Sequence, residues 1–476
     1  MKSIPCLLLT AALALNLGSR ASAQEDGWIN LFNGTNLDGW AQHSGKAKYY
    51  VEDGCLVGES VLGTGNSFLC TTNSYGDYEF EADFQCDPLL NSGIQFRTDI
   101  FPEARVLHIN GKDIKVAADR VHGYQYEIDM DAERGRMWTG GIYDEARRGW
   151  LFPSDGNGGS IKGPQSKAFS EQGNQVSKNG GWNHIRLVCQ GDLIQTWLNG
   201  EPRATLVDHL TPRGIIGLQV HGIGKDAAKG GLHVRFRNLR LRELNNVITE
   251  QDAKEGWRLL WDGKTSDGWR SPKTDAFPTH GWFIENGELI VHENGGEEAA
   301  GGGDIITRQR YANFELTAEF KRTPGCNSGI KIFVQPNIAP ITKAGEKAAV
   351  GSAIGMEFQI LDDERHPDAK LGRNGDRKLA SLYDLIPAPT NKVIWPMGQW
   401  NHARIISQGK HVEFWLNGEK TVEFERGSPE FRQLVAESKY HNIPDFGEWA
   451  DGHILLQEHG SEVHFRNVKI RDLPAE

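Results

Sequence analysis

Apolar and polar residues alternate with a period of two through much of this chain. YEFEADFQ does so from Tyr78 to Gln85, and FELTAEFK from Phe314 to Lys321. Alternation puts successive side chains on opposite faces of a strand, so each segment is predicted to be a strand with one buried face. LIQTWLNG and HVEFWLNG read as strands that run into Asn-Gly pairs at Asn199-Gly200 and Asn417-Gly418, and Asp53-Gly54 and Asn286-Gly287 give the same kind of signal. Such dipeptides accept the positive φ angles of tight hairpins. No long segment keeps a helical period. Many short strands separated by turns predict an all-β protein of antiparallel sandwiches.

The pattern occurs twice. WINLFNGTNLDGW at Trp28 returns as WRLLWDGKTSDGW at Trp257, and VEDGCL at Val51 as IENGEL at Ile284. NSGIQF at Asn91 returns as NSGIKIF at Asn327, and GYQYEIDMD at Gly123 as GMEFQILDD at Gly355. WNHIRLVCQGDLIQTWLNGE at Trp182, LQVHG at Leu218 and VRFRNLRLREL at Val234 return at Trp400, Leu456 and Val463. Two long units in the same order are a domain duplication. A polar stretch without β alternation, Glu243 to Gly256, joins them. The expected layout is a leader over 1–23, a first sandwich over 24–245, a linker over 246–256 and a second sandwich over 257–476.

Composition adds three constraints. Lys2, the apolar run from Cys6 to Leu17 and Ala21-Ser22-Ala23 read as a signal peptide cleaved near Ala23. That run is too short to span a bilayer comfortably, and no other long apolar stretch exists, so a secreted or periplasmic protein without a membrane span is expected. There are 63 acidic and 52 basic residues, for a net charge of -11. Loss of Lys2 and Arg20 with the leader would make it -13. Such a chain is a poor partner for nucleic acid, where a basic face supplies most of the affinity. The six cysteines contain no CxxC pair. Cys55 and Cys70 either pair across neighbouring strands or remain free in the core. The Gly-rich DGNGGS stretch follows no strand-to-helix pattern and is read as a loop.

The strand GYQYEIDMD carries the most chemistry. Alternation sends Tyr124, Tyr126 and Ile128 to the core and Gln125, Glu127 and Asp129 to a wet polar face. Its counterpart sends Met356, Phe358 and Ile360 inward, with Glu357 and Gln359 opposite. In this register Gln125 matches Glu357 and Glu127 matches Gln359, so the copies swap acid and amide. A carboxylate in a cleft grips sugar hydroxyls or serves as a general base. Alternation through NSGIQFR sets Gln95 and Arg97 beside that face, where a cation can hold a developing oxyanion. The matching positions of the second copy are Lys331 and Phe333. His221 and His459 end the LQ strands, placed for acid, base or ligand roles or for backbone bonds alone. His184 and His402, in WNH, read as structural. After the acidic strand, RMWTGGIYDEARRGWLFP brings aromatics beside Tyr143, Asp144, Arg147 and Arg148. DDERHPDAKLGRNGDRKLASLYDLIP brings Asp362, His366, Asp368, Tyr383 and Asp384. Aromatic rings stack on sugar faces while polar neighbours bind hydroxyls. Asp362, His366 and Asp368 are also candidate metal ligands, without a supporting spacing. The sequence shows no required cofactor and leaves a divalent metal open.

Through NSGI, GMEFQILDD, HPDAK, SLYDLIP, WNH, FWLNG and LQEHG, the second copy resembles the commonest form of the 3-keto-disaccharide hydrolase domain family. The first copy resembles a variant form through GYQYEID, TGGIYDEARRGWL and LQVHGI. The resemblance covers nearly all of the chain after the leader. It implies two tandem concanavalin-like (jelly-roll) β-sandwiches and a carbohydrate substrate. It implies a reaction in which a ketone at sugar carbon 3 acidifies C2–H, a base removes that proton, the C1 group leaves and water adds. On that chemistry Glu127 or Glu357 is the expected base, and Arg97 or Lys331 the expected enolate partner. His221, His459, Tyr143 or Tyr383 is the expected acid. Gln125, Asp129, Asp144, Arg147, Gln359, Asp362, His366, Asp368 and Asp384 are expected to bind substrate. A non-catalytic pair of carbohydrate-binding modules is the alternative. Glu357, Lys331, Tyr383 and His459 should then line one pocket, and Glu127, Arg97, Tyr143 and His221 another.

Overall fold

Along strand Asn183–Gln190 every second residue is buried and the intervening ones face outward, and this period of two builds the whole molecule. A strand with one apolar face must bury it against a second sheet. In the first half, the strands Tyr78–Cys86, His233–Glu243 and Asn183–Gln190 form the centre of one antiparallel sheet. A second antiparallel sheet is centred on Val121–Asp131, Asn91–Ile100 and Ile215–Val220. Phe80, Phe84, Phe96, Tyr124, Tyr126 and Phe236 fill one core. Each such ring contributes roughly 1.5–3 kcal/mol by leaving water. The second half repeats the plan. One sheet centres on Phe314–Arg322, Val463–Asp472 and Trp400–Gln408, and the other on Asn327–Gln335, His453–Leu456 and Ile354–Leu361. Phe320, Phe358, Phe414 and Phe465 lie in its core.

This computed structural model describes residues 27–131, 136–154, 164–293, 295, 302–338 and 353–475. The leader expected over 1–23 and the DGNGGS loop lie outside the described residues. Among the described residues no helix is long and apolar enough to cross a membrane. The five cysteines among them are buried and free. Cys55 and Cys70 are unpaired because their strands, Cys55–Glu59 and Ser67–Thr71, belong to opposite sheets.

Three departures from simple alternation matter for the site. The polar strand faces are not wet: Glu127 and Glu357 are each 4 % exposed. Arg97 has φ 43° and Phe333 φ 55°, and each falls where the register shifts against the neighbouring strand. Both are β-bulge residues, and a bulge re-aims its side chain. The linker also carries structure, a short helix Glu250–Lys254 capped by Thr249.

The two sandwiches meet through buried ion pairs. Arg213 of the first lies 3.0 Å from Glu319 of the second and donates to Ser74 O at 2.6 Å. Arg466 donates to Glu319 at 2.7 Å and to Glu243 at 2.8 Å. Arg213 and Arg466 together hold the Glu319 carboxyl well below its ordinary range despite burial.

Candidate active sites on the polar sheet faces

The repeated NSG triplet builds each face. Ser92 and Ser328 donate to Gln219 O at 2.6 Å and Gln457 O at 2.8 Å, tying two strands together. Gly93 and Gly329 leave room above the sheet. A Cβ on Gly329 would stand 2.3 Å from Glu357 Oε1, and one on Gly93 would stand 2.5 Å from Gln125 Cδ. Glu357 and Gln125 therefore lie flat across their glycines, in equivalent places, which agrees with the register read from the repeat.

In the second domain Lys331 is the cross-strand partner of Glu357, its ammonium 3.9 Å from the carboxylate. Tyr383 donates its backbone N–H to Glu357 O at 3.0 Å, and its hydroxyl donates to Asp368 at 2.7 Å. Arg377 donates to Asp368 at 3.0 Å and to Asp384 at 2.7 Å, which fixes the loop that carries Tyr383. Lys439 N–H also donates to Asp384, at 2.8 Å. The Lys439 ammonium stands 4.1 Å over the Tyr383 ring. Lys439 is exposed, yet crowding by protein lowers its pKa, with Lys331 adding to the fall. Burial, and then the charge of Glu357, push the Tyr440 hydroxyl well up. His366 accepts from Asp368 N–H at 3.2 Å, and His459 lies ring to ring with it at 6.1 Å. Glu357, Lys331 and Tyr383 are thus neighbours on this face, while His459 stands beside His366, beyond Asp368. Gln359 lies one place further along the face and donates to Asn327 at 3.4 Å.

The first domain is built differently. Asn91 and Gln125 donate to the two oxygens of Glu127 at 2.7 and 2.8 Å. Gln95, in the place of Lys331, donates to Gln125. Burial, then the charge of Asp129, push the Glu127 carboxyl up to about 8 against the two amide donors and Arg136. Asp129 is paired with Arg136 at 2.5 Å. The Arg136 guanidinium stacks 4.3 Å over Trp138, and Trp150 packs edge-on to both Trp138 and Tyr143, at 4.9 and 5.2 Å. His221 is exposed and bonds Gly222 O at 2.8 Å. Crowding, with Arg136 among the contributing charges, lowers its pKa.

Several expected residues are elsewhere. Arg97, turned by the bulge, is buried against Asp77 at 2.7 Å and against the carbonyls of Gly76 and Gly191. Arg136 stands in its place beside the acids. Asp144 pairs in register with the core-facing Tyr124, and it binds Arg147 and Arg148 at 2.7 and 2.5 Å. Asp144 and Arg147 therefore brace the fold away from Glu127. Asp362 is fully buried and holds a turn through Gly325 N–H at 2.7 Å and Arg365 at 3.1 Å. Among the described residues the acid and histidine groups that converge closely enough for a metal are His411, Glu413 and Glu423, not Asp362, His366 and Asp368. Sequence reasoning passed over Arg377, Lys439, Tyr440 and Arg136, and named the Trp138 and Trp150 segment only for its aromatics. One signal for Lys439 and Tyr440 was present. The offset between copies rises from 218 residues at Asn199/Asn417 to 238 at Leu218/Leu456, which marks an inserted segment that carries both.

The sequence profile of the 3-keto-alpha-glucoside-1,2-lyase-like domain family matches residues 27–242 and 256–471. A protein of Bacteroides thetaiotaomicron named 3-keto-disaccharide hydrolase is 35% identical over 253 residues, covering 50% of this chain and 85% of its own. A solved "putative glycosyl hydrolase" of Parabacteroides distasonis ATCC 8503 is 31% identical, with a TM-score of 0.40, over 48% of this chain and 100% of that one. A Bacillus subtilis protein with a galectin-like fold aligns at 13% identity and a TM-score of 0.28, over 43% of this chain and 89% of its own. Over both halves, this chain belongs to the 3-keto-alpha-glucoside-1,2-lyase-like domain family.

Proposed function

We propose that the second domain cleaves 3-keto-glycosides, 3-keto-disaccharides among them, by elimination and hydration. One observation carries the reading: Glu357 lies flat over Gly329 with the Lys331 ammonium 3.9 Å away and Tyr383 beside it. Family membership and the 35% identical relative named 3-keto-disaccharide hydrolase support it. Glu357 takes the C2 proton, and the C2–H electrons pass to the C3 oxygen as an enolate. Lys331 and Lys439 hold that charge. The ketone re-forms as C1=C2 forms and the C1–O bond breaks. A phenol, Tyr383 or Tyr440, or His459 through the loop it borders, supplies the proton that the leaving oxygen needs. Water then adds its hydroxyl to C1 and a proton to C2, for net hydrolysis. Protons pass only among substrate, water and side chains of this chain, so the reaction as proposed calls on no cofactor.

The test is sugar release from a 3-keto-α-glucoside. Glu357→Gln should fold and lose on the order of 10²–10⁴ in rate, the range a general base contributes. No release from any 3-keto-glucoside by folded protein would sink the proposal.

A second reading applies to the first domain: it binds sugar without cleaving it. The Glu127 carboxyl already held by two amides, the Gln95 in place of a lysine and the Trp138–Trp150–Tyr143 cluster favour this. Cleavage that survives Glu357→Gln and vanishes on adding Glu127→Gln would contradict it. We place the mature protein, starting near Gln24, outside the cytoplasm. N-terminal sequencing of protein from the producing cell would refute this by finding Met1 retained in a soluble cytoplasmic pool.

A further inference from the structure

Between the sandwiches lies a cavity of about 680 Å3 that includes neither Glu127 nor Glu357 in its lining. Its floor is the outer face of the second domain's sheet, where Arg404 donates to Glu315 at 2.5 Å and lies 5.4 Å over Trp415. The first domain repeats this ladder as Glu79, Arg186 and Trp197, but that copy is outside the cavity. The roof comes from the first domain: strand Arg105–Ile109 with the following Asn110, the segment around Leu210, and His122.

His122 is the telling residue. It begins the polar strand, is 2 % exposed, and lines the cavity. The Phe101 ring lies 4.4 Å from its own. Neither ring nitrogen has a hydrogen-bond partner among the described residues. Burial pushes its pKa down to about 3, with only its own backbone bonding the other way, so the ring is neutral and meets no well-formed partner among the described residues. Leaving buried polar atoms unmet costs about 1–3 kcal/mol each, and a native fold that keeps two on one ring invites a ligand. Asp99, on the same wall, is pushed up to about 6 by burial and bonds its neighbour's N–H at 2.7 Å. Several permanent charges of the lining are already paired, Arg105 with Glu419 at 2.9 Å, Arg404 with Glu315, and Lys469 with Asp77 at 3.4 Å and Asp252 at 3.6 Å. A charged guest would disturb those pairs. An uncharged one with many hydroxyls would meet the unfilled hydrogen bonds and lay its C–H faces on Trp415 and Phe101. The volume falls within the roughly 300–1,000 Å3 of small-molecule sites.

We propose that this interdomain cavity is a binding site for a neutral oligosaccharide, separate from both polar sheet faces. It does not depend on the elimination chemistry. The experiment uses the full chain with maltotriose and trehalose as probes, read by calorimetry, tryptophan fluorescence and thermal melting. Wild type should bind at least one probe and melt higher in its presence. His122→Leu should weaken that binding about three- to tenfold, the worth of one buried hydrogen bond, and Trp415→Ala should weaken it too. Without sugar, His122→Leu should melt at or above wild type, because it removes two unmet polar atoms; a purely structural histidine would give the opposite. Hydrolysis at the second domain should be untouched by His122→Leu, and cavity binding untouched by Glu357→Gln. Absence of binding to either probe would overturn the proposal. So would binding that ignores His122→Leu and Trp415→Ala but is lost in Glu357→Gln, which would put the sugar on the sheet face. Binding that follows His122 in a protein with no hydrolytic activity would uphold the cavity and refute only the elimination reading.

Discussion

Replacing Gly329 by Ala adds one methyl group directly beneath the proposed base. The new Cβ would sit 2.3 Å from Glu357 Oε1 and 2.9 Å from its Cδ, closer than non-bonded carbon and oxygen approach. Gly329 has no positive φ, so the backbone accepts Ala, and in a strand the exchange alone favours folding by about 0.5–1 kcal/mol. The clash opposes this with an overpacking cost of about 1–3 kcal/mol. The protein should therefore still fold, with a melting temperature lowered by a few degrees at most. Relief comes from swinging the carboxylate off the glycine and away from where substrate C2 must lie. A misplaced base forfeits most of its roughly 10²–10⁴-fold contribution, so kcat should fall by at least about 100-fold while KM changes little. The matching Gly93→Ala, whose Cβ would meet Gln125 at 2.5 Å, serves as the control and should leave hydrolysis intact. Steady-state kinetics with a 3-keto-α-glucoside, alongside thermal melts, decides the matter. A Gly329→Ala protein with wild-type kcat would show that the flat carboxylate is not the base.

Three further outcomes follow from the same geometry. Glu127 is raised in the fold from 4.5 to about 8, so between those values the folded state holds a proton that the unfolded state has lost, and stability falls as pH rises through that window. Glu127→Gln removes this loss, so its melting temperature should gain on wild type progressively from pH 4.5 to 8 and not below; a constant difference would refute the shift. Arg213→Ala leaves Glu319 with Arg466 as its remaining buried cation, which should cost about 3–5 kcal/mol and split the calorimetric unfolding into two transitions; a single unshifted transition would contradict the docking described. Hydrolysis should be unchanged by EDTA, and loss of activity restored by a divalent cation would show that the proposed side-chain chemistry is incomplete.

Much of the fold was legible because both of its signals are periodic. The alternation in GYQYEIDMD and GMEFQILDD places Tyr124, Tyr126, Ile128, Met356, Phe358 and Ile360 in the cores, where they lie fully buried. The swap of acid and amide was readable from register alone. Alternation fails where a strand carries an extra residue: Arg97 sits on a bulge, and its side chain leaves the face that counting assigns to it. It also misjudged the environment of that face, because polarity along a strand does not say whether other segments cover it. Asp144 illustrates a related failure. It follows Tyr143 in the chain, so the strand pleat sends the two to opposite faces, and only Tyr143 joins the site. Arg377, Lys439 and Tyr440 come from irregular segments, where no period exists to be read. Lys439 and Tyr440 also have no partner in the first copy, so the repeat marked their segment only by the change in offset and not the residues themselves.

The central claim is that cleavage passes through loss of the C2 proton. It is tested most directly by running the reaction on a 3-keto-α-glucoside in D2O and reading C2 of the released 3-keto sugar by NMR at early times, against the free sugar incubated alone. Elimination and re-addition predict deuterium at C2 in step with release and ahead of the control, and predict that both fail together in Glu357→Gln. Release that leaves hydrogen at C2 would mean direct displacement at C1 and would contradict the account.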